Sequence, residues 1–572
     1  MPKVFRSSFT FGGLMAESDP LLTESYLDNG DYEAISSSRD PHCFIIGRTG
    51  SGKSASFQFL EEEYPQKVIR IIPENLSLPY ITNLGVIRHL LNRGVRLEPF
   101  LRALWKHVMI IEILRHRYQI TSPERKQTII SSLVERFRRD QNKVKAIRYL
   151  EEFGDNFWCD ADERIRKSME TFVSKVTASG GLDTTVHGVG LRASGSVEKE
   201  HSQEVEREIA AHYQRIVNDT QIPRLNEMIS LLDQEILDAQ HLTFMVIDDL
   251  DRVWEDESLA NLLIRCLFSA VVDMQRIEHL KILVALRTNI FEQLHYGEQG
   301  RSSQEEKYRG LALHLRWTEN DLRSLLQQRA EVASKRYNLD PPKALAEMLP
   351  KANKEAGDPL AYLLSRTMLR PRDAILFMNA CIREAAGRDR ITWDHIRRAE
   401  KIYSDERLLA LRDEWKDPYF DIDKAFECFR SKPYRMTQHE LTTVLDNIAE
   451  LLADPKFLGT IWLTKLSETI WAPGSSQLTW FEWYGPLVNL FYHISFLGIA
   501  KGPQGTASYS YHALERALEA SDIPANAYFE IHPAFRRALN VDERPIGTHQ
   551  STQKASQTAG TPGELVHARM TP

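Results

Sequence analysis

Cysteine is scarce in this chain. Five occur in 572 residues, Cys43, Cys159, Cys266, Cys381 and Cys428. They lie far apart, form no C-x-x-C pair and are odd in number. This argues against a disulfide framework or a zinc site and fits a reducing, cytoplasmic setting. Long apolar runs are also missing. Stretches such as Val108-Met109-Ile110-Ile111 fall far short of the roughly 20 residues that span a bilayer. Met1-Pro2-Lys3-Val4-Phe5-Arg6 leads into polar sequence, unlike a signal peptide, so no membrane role is expected. Neither sign of charge dominates: 72 Lys and Arg face 79 Asp and Glu, a net −7. A polyanionic partner would therefore have to meet a local basic patch. No nuclease metal cluster, protease triad or TIR-like feature is visible. Lone histidines, including His187 and His532, read as surface or packing residues.

What is present is ordinary globular material, 42% hydrophobic and 26% charged, long enough for about two to four domains. Within it stands Gly47-Arg48-Thr49-Gly50-Ser51-Gly52-Lys53-Ser54, directly after the apolar run Cys43-Phe44-Ile45-Ile46. This is a complete G-x-x-x-x-G-K-[ST] phosphate loop between a strand and a helix. Its glycines let backbone N–H groups curl around a triphosphate, and the helix beginning at Lys53-Ser54-Ala55 turns its positive end toward the phosphates. Lys53 is expected to reach the β- and γ-phosphates and Ser54 to ligate Mg²⁺. The whole stretch Gly47 to Ala55 is the expected ATP cradle.

Thr243-Phe244-Met245-Val246-Ile247 is apolar and bounded by charge, as a buried parallel strand should be, and runs into Asp248-Asp249-Leu250-Asp251-Arg252. An acid at such a strand tip holds Mg²⁺, usually through water, and this is Asp248. The next acid polarises the attacking water, and this is Asp249.

Further strands are expected at Lys67–Ile72, Lys281–Leu286 and Leu311–Leu315, with helices at Tyr26–Ile35, Phe100–Tyr118, Leu262–Met274, Glu319–Val332 and over 340–412. Strands alternating with helices predict an α/β fold with a five-stranded parallel sheet covered on both faces. The polar lead-in and first part of the core occupy 1–122. About two hundred residues separate the phosphate loop from the acid strand, so a large insertion is implied over 123–240. Ser122-Pro123-Glu124-Arg125 caps its first helix, the glycine-rich 182–197 reads as a hairpin or mobile loop, and Glu198–Leu237 as a long amphipathic helix. The insertion is either a helical arm packed on the core or a contact arm for a second protomer or partner. The core resumes over 241–335, a helical lid follows over 336–415, a separate domain fills 420–540, and 541–572 has the Ser, Thr, Gly, Pro and Gln content of a disordered tail.

These residues resemble a bacterial P-loop ATPase on the AAA+, STAND and KAP-like side of the superfamily. The Asp248–Arg252 string resembles the KAP acid motif, and Arg370-Pro371-Arg372-Asp373 the second-sensor segment of origin-recognition initiators and STAND ATPases. The chain is most similar to a thinly described family of bacterial P-loop ATPases, through Phe11–Asp19, the phosphate loop, Leu104-Trp105-Lys106-His107-Val108, the acid motif and Ile531-His532-Pro533-Ala534-Phe535. The resemblance implies Mg²⁺-dependent ATP binding and a strand after the acid strand that lies between it and the phosphate-loop strand. Asn289, or Arg287 or Thr288 beside it, would then face the γ-phosphate or the attacking water. Arg372 would lean onto the nucleotide from the lid. Arg287, Arg309 and Arg316 are candidates for a finger acting across a subunit boundary. Two departures stand out: the membrane helices frequent in KAP proteins are missing, and Asp249 replaces the usual Glu, which implies slow turnover. The ABC-type signature Ser-Gly-Gly-Gln is absent.

In the last third, Met436-Thr437-Gln438-His439-Glu440 predicts a helix start with a capping box. Trp480–Leu497 reads as an aromatic helix stopped by Gly498, Gly502–Gly505 as a turn, and Tyr528–Ile531 as a final strand. That order suggests a winged helix. Leu487–Leu497 has no Lys or Arg, and Lys501, Arg536 and Arg537 are the few cations nearby, so DNA contact has little support and protein docking more. The expected function is an ATP-driven switch acting through self-assembly or a separately encoded effector, with antiphage defence a setting implied by resemblance only. The alternatives are a DNA-associated AAA+-like ATPase and a scaffold that holds nucleotide for structure.

Overall fold

The computed structural model describes residues 5–71, 97–119, 126–153, 222–248, 250, 257–296, 308–337, 344–354, 356–471, 479–512, 518–524 and 526–541. The cap at Ser122–Arg125, the hairpin at 182–197, His187, Asp249, Asp251, Arg252 and the tail from 542 lie outside them. The chain divides into two compact units, Met15–Arg316 and Met1–Leu14 with Trp317–Pro572.

The first unit is built on five parallel strands: β1 Phe44–Ile46, β2 Val68–Ile71, β3 Thr243–Ile247, β4 Leu280–Leu286 and β5 Ala312–His314, in spatial order β2-β3-β4-β1-β5. Every residue of β3 and β4 is buried, as both faces of a covered parallel sheet require. Period-two alternation sorts their side chains between two cores. Phe44, Ile46, Ile69, Ile71, Met245, Ile247, Ile282, Val284 and Leu286 face one core, which holds the helices Glu98–Arg117 and Glu257–Met274. Ile45, Phe244, Val246, Leu283 and Ala285 face the other, with Phe57 and Leu60 of the helix Lys53–Glu63.

Trp105 explains the string Leu104-Trp105-Lys106-His107-Val108 on packing grounds. It is fully buried and its indole N–H donates to Leu263 O at 3.0 Å, tying the two helices of the first face together. The described parts of 123–240 join the same core: Ile130 from the helix Lys126–Arg136, Ile147 and Leu150 from Gln141–Phe153, and Leu225 and Met228 from Ile222–Leu231. The last of these runs on through a π-helical turn, Leu232–Ile236.

In the second unit the N-terminal residues are less of a polar lead-in than their composition suggests. Phe5, Phe9 and Phe11 are buried, Asn379 Oδ1 accepts from the Phe11 N–H at 2.8 Å, and Arg329 donates to Phe11 O at 2.6 Å. Helices follow at Glu319–Arg336, Pro359–Leu364, Pro371–Glu384 and Trp393–Trp415.

Beyond them stand the strand β6 Arg435–Thr437, the helices Gln438–Ala449, Thr460–Trp471 and Trp480–His493, and the strands β7 Leu497–Lys501 and β8 Ala527–Ile531, forming an antiparallel sheet in order β6-β8-β7. The capping box at Thr437 and Glu440 forms as expected. Gly498 does not stop the aromatic helix. The helix ends at His493, the chain turns at Ser495 with φ 61°, and Gly498 lies inside β7 opposite Glu530. Its glycine is needed for another reason: a Cβ there would come within 2.6 Å of the Tyr509 ring. Ser508 bridges Ile499, and Ser510–His512 form a 3-10 turn. His532 is buried, accepting from the Ala534 N–H and meeting the Tyr511 hydroxyl, a packing residue as expected.

Candidate functional site

The loop Gly47–Ser54 begins where β1 ends, and its first N–H donates to Leu286 O, the last residue of β4, at 3.2 Å. Gly50 and Gly52 have φ of 82° and 105°, a region that L side chains adopt only at a cost. Gly47 is packed so closely that a Cβ would sit 2.3 Å from Ser51 Oγ. These three glycines let the backbone wrap tightly and deliver the chain into the helix Lys53–Glu63. The Lys53 ammonium donates to Gly47 O at 2.6 Å and Arg48 O at 3.2 Å, so it lies across the loop it follows.

Two hard oxygen donors meet at the foot of this helix. Ser54 Oγ donates to Asp248 Oδ2 at 3.0 Å. Asp248 closes β3 and is buried, placed there because β3 is an unbroken apolar run that ends at the sheet edge. A hydroxyl and a carboxylate in this position suit Mg²⁺, which takes few protein oxygens and completes its shell with water and phosphate. The donor set and the glycine cradle thus fit a Mg²⁺-nucleotide. No cluster of three or more His, Cys, Asp or Glu suited to a metal occurs among the described residues, so no competing metal centre of that type stands there.

Strand β4 lies between β1 and β3. Residues Arg287, Thr288 and Asn289 therefore leave the sheet between the glycine loop and Asp248, with Asn289 in the first turn of the helix Thr288–Tyr296 and half-buried. Arg309 and Arg316 are exposed, and the carbonyl of Arg316 accepts from Asn29 Nδ2 at 2.7 Å. Arg372 belongs to the second unit. It sits in the first turn of Pro371–Glu384, where its Nε donates to Leu14 O at 3.2 Å and burial pulls its guanidinium below the usual value. Its neighbour Arg370 is buried in an ion-pair network, with Asp373 at 2.9 Å and Glu414 at 3.4 Å, while Arg407 holds the other oxygen of Asp373 at 2.5 Å.

One residue of the site escaped the sequence reading. Arg70 of β2 pairs in register with Val246. Its Nη2 reaches Asp248 Oδ2 at 3.4 Å. The signal was an arginine inside an otherwise apolar strand one residue from its end, beside the strand that carries the acid.

Comparison with known proteins finds similarities of three kinds. Residues 320–412 match the FunZ-associated C-terminal helical domain, which covers the helices from Glu319–Arg336 to Trp393–Trp415. The chain is 21% identical over 558 residues to the "Putative transposon gamma-delta 80.3 kDa protein" of Escherichia coli (strain K12), spanning 95% of this chain and 68% of that one. A solved structure of the Aeropyrum pernix ORC1 protein in complex with DNA aligns over 91% of this chain and 94% of its own, at 10% identity and a TM-score of 0.32, a similarity too low to bear on function. No helix among the described residues is long and apolar enough to cross a membrane.

Proposed function

We propose that the chain binds and hydrolyses Mg²⁺-ATP and uses nucleotide state to change its own assembly or its contacts with a partner. The observation that carries this reading is the 3.0 Å contact between Ser54 and Asp248 at the foot of the glycine loop. In the proposed site the backbone of Gly47–Ser54 and the Lys53 ammonium hold the phosphates, and Ser54 and Asp248 hold the cation, which neutralises phosphate charge. Asp249 takes the proton of the attacking water, and Asn289 orients that water. An antiphage setting and a separately encoded effector rest on the resemblance to STAND-like and KAP-like ATPases.

The C-terminal strands and helices are read as a winged helix, supported by three helices between β6 and β7 and the β6-β8-β7 order. Three of its arginines favour protein docking over DNA: Arg435 and Arg536 both pair with Glu530, and Arg537 lies 3.5 Å from Glu400, so these three are already matched by acids and not held ready for phosphates. A role on mobile DNA is the second reading, favoured by the name of the Escherichia coli relative. Hydrolysis by the purified chain with Mg²⁺, alone and with duplex or single-stranded DNA, separates the two. DNA-independent turnover supports the partner-coupled switch, and strong stimulation by DNA supports the second reading.

A further inference from the structure

Asp248 Oδ2 is claimed twice. It accepts from Ser54 Oγ at 3.0 Å and from Arg70 Nη2 at 3.4 Å. Arg70 lies on the sheet face covered by the helix Lys53–Glu63, because its strand neighbours Ile69 and Ile71 turn to the opposite core. On that face two more carboxylates already pair with the same guanidinium at longer range, beyond hydrogen-bond distance, Glu61 at 3.6 Å and Glu17 at 3.8 Å. Arg70 is 22% exposed and Asp248 8%, so this attraction is screened less than a surface pair. Glu17 belongs to the 3-10 turn Ala16–Ser18, inside the Phe11–Asp19 string that the nucleotide site leaves unexplained.

We propose that Arg70 is a positioning residue of the metal site: its guanidinium holds Asp248 Oδ2 until a divalent cation takes that oxygen, and Glu61 and Glu17 then receive it. The inference rests on the reading of Ser54 and Asp248 as the Mg²⁺ donors. Two positive charges at one carboxylate oxygen repel, so a cation arriving at Asp248 favours release of the guanidinium. The waiting carboxylates shorten the move to a change of side-chain rotamer. Arg70 thereby sets how much Mg²⁺ the site requires, and it passes the occupancy of the site to the Ala16–Ser18 turn.

The test is binding of a fluorescent, non-hydrolysable ATP analogue to the full chain during a MgCl₂ titration, read as the Mg²⁺ concentration at half-saturation. Arg70→Gln is expected to lower that concentration by about threefold to tenfold. The double variant Glu17→Gln with Glu61→Gln, which keeps Arg70 but removes its receivers, is expected to raise it by about twofold to threefold. A purely structural role moves both variants the same way. If Arg70→Gln fails to fold, the double variant decides by itself, since Glu17 and Glu61 are 54% and 29% exposed. A normal wild-type response with an unmoved or raised Arg70→Gln midpoint, or an unmoved or lowered one in the double variant, overturns the role of Arg70. A wild-type chain indifferent to Mg²⁺ overturns the nucleotide-site reading beneath it.

Discussion

Ser54 and Asp248 are 194 positions apart in the chain and 3.0 Å apart in space. No local interaction produces that contact. It exists because β4 separates β1 from β3, which sets the glycine loop and the acid one strand apart at the same end of a parallel sheet. Crevices at that end are where open α/β sheets hold ligands.

Asp248→Asn preserves shape and removes the charge that, in the proposed function, holds the cation. The expected result is a loss of about tenfold to a hundredfold in Mg²⁺ affinity during nucleotide binding, with metal-free binding weakened far less. Titration of the variant with Mg²⁺ at fixed nucleotide checks it.

Asp249→Asn is expected to retain Mg²⁺-ATP binding and to lose turnover by about two to four orders of magnitude, the usual effect of removing a general base. Paired binding and steady-state hydrolysis assays read both. If Asp249→Asn keeps every function while Lys53→Ala destroys it, nucleotide serves structure and not chemistry.

Asp373 is the anion between two arginines, Arg370 and Arg407, and is 1% exposed. Its replacement by Asn leaves buried positive charge with Glu414 as the remaining acid, 3.4 Å from Arg370. Breaking a buried pair from one side costs about 3–5 kcal/mol. Chemical denaturation should show that loss in the second unit, and an unchanged midpoint would refute the network's role in stability.

Asp273 gives a pH dependence. Burial alone would raise its carboxyl, but hydrogen bonds and charge from Arg102 and Lys106 hold it below the ordinary value. A depressed folded value means that its contribution is complete above the unfolded value, about 3.9, and vanishes as pH falls through the lower folded one. Asp273→Asn should therefore be less stable than wild type at neutral pH, with the gap closing below about pH 4. Thermal unfolding across that range measures it, and a gap that persists in acid contradicts it.

The parts most legible in the sequence were those whose local chemistry has one reading. Two largely apolar runs became β3 and β4, because a strand covered on both faces has little polar side to show; Thr243 and Lys281 stand at or next to their starts. The glycines of the loop announced themselves by type and spacing. Arg70 did not, because a charged residue at alternate spacing in a short strand reads as solvent-facing until the register puts it beside Asp248. Phe5, Phe9 and Phe11 were hidden among polar neighbours; contacts with Arg329 and Asn379, more than three hundred positions away, draw Phe11 in. Gly498 misled because a glycine after a helical run has two explanations, a stop or a close approach, and the ring of Tyr509 supplied the second.

The measurement that tests the central claim most directly is calorimetric titration of ATP into the wild-type chain and into Lys53→Ala, each with Mg²⁺ and with a chelator. The account predicts one site per chain in the wild type, tightened by Mg²⁺, and loss of about two orders of magnitude in affinity in the variant, as when a preorganised charged donor is removed. ATP binding of equal strength in both proteins, or no binding in either, would contradict it.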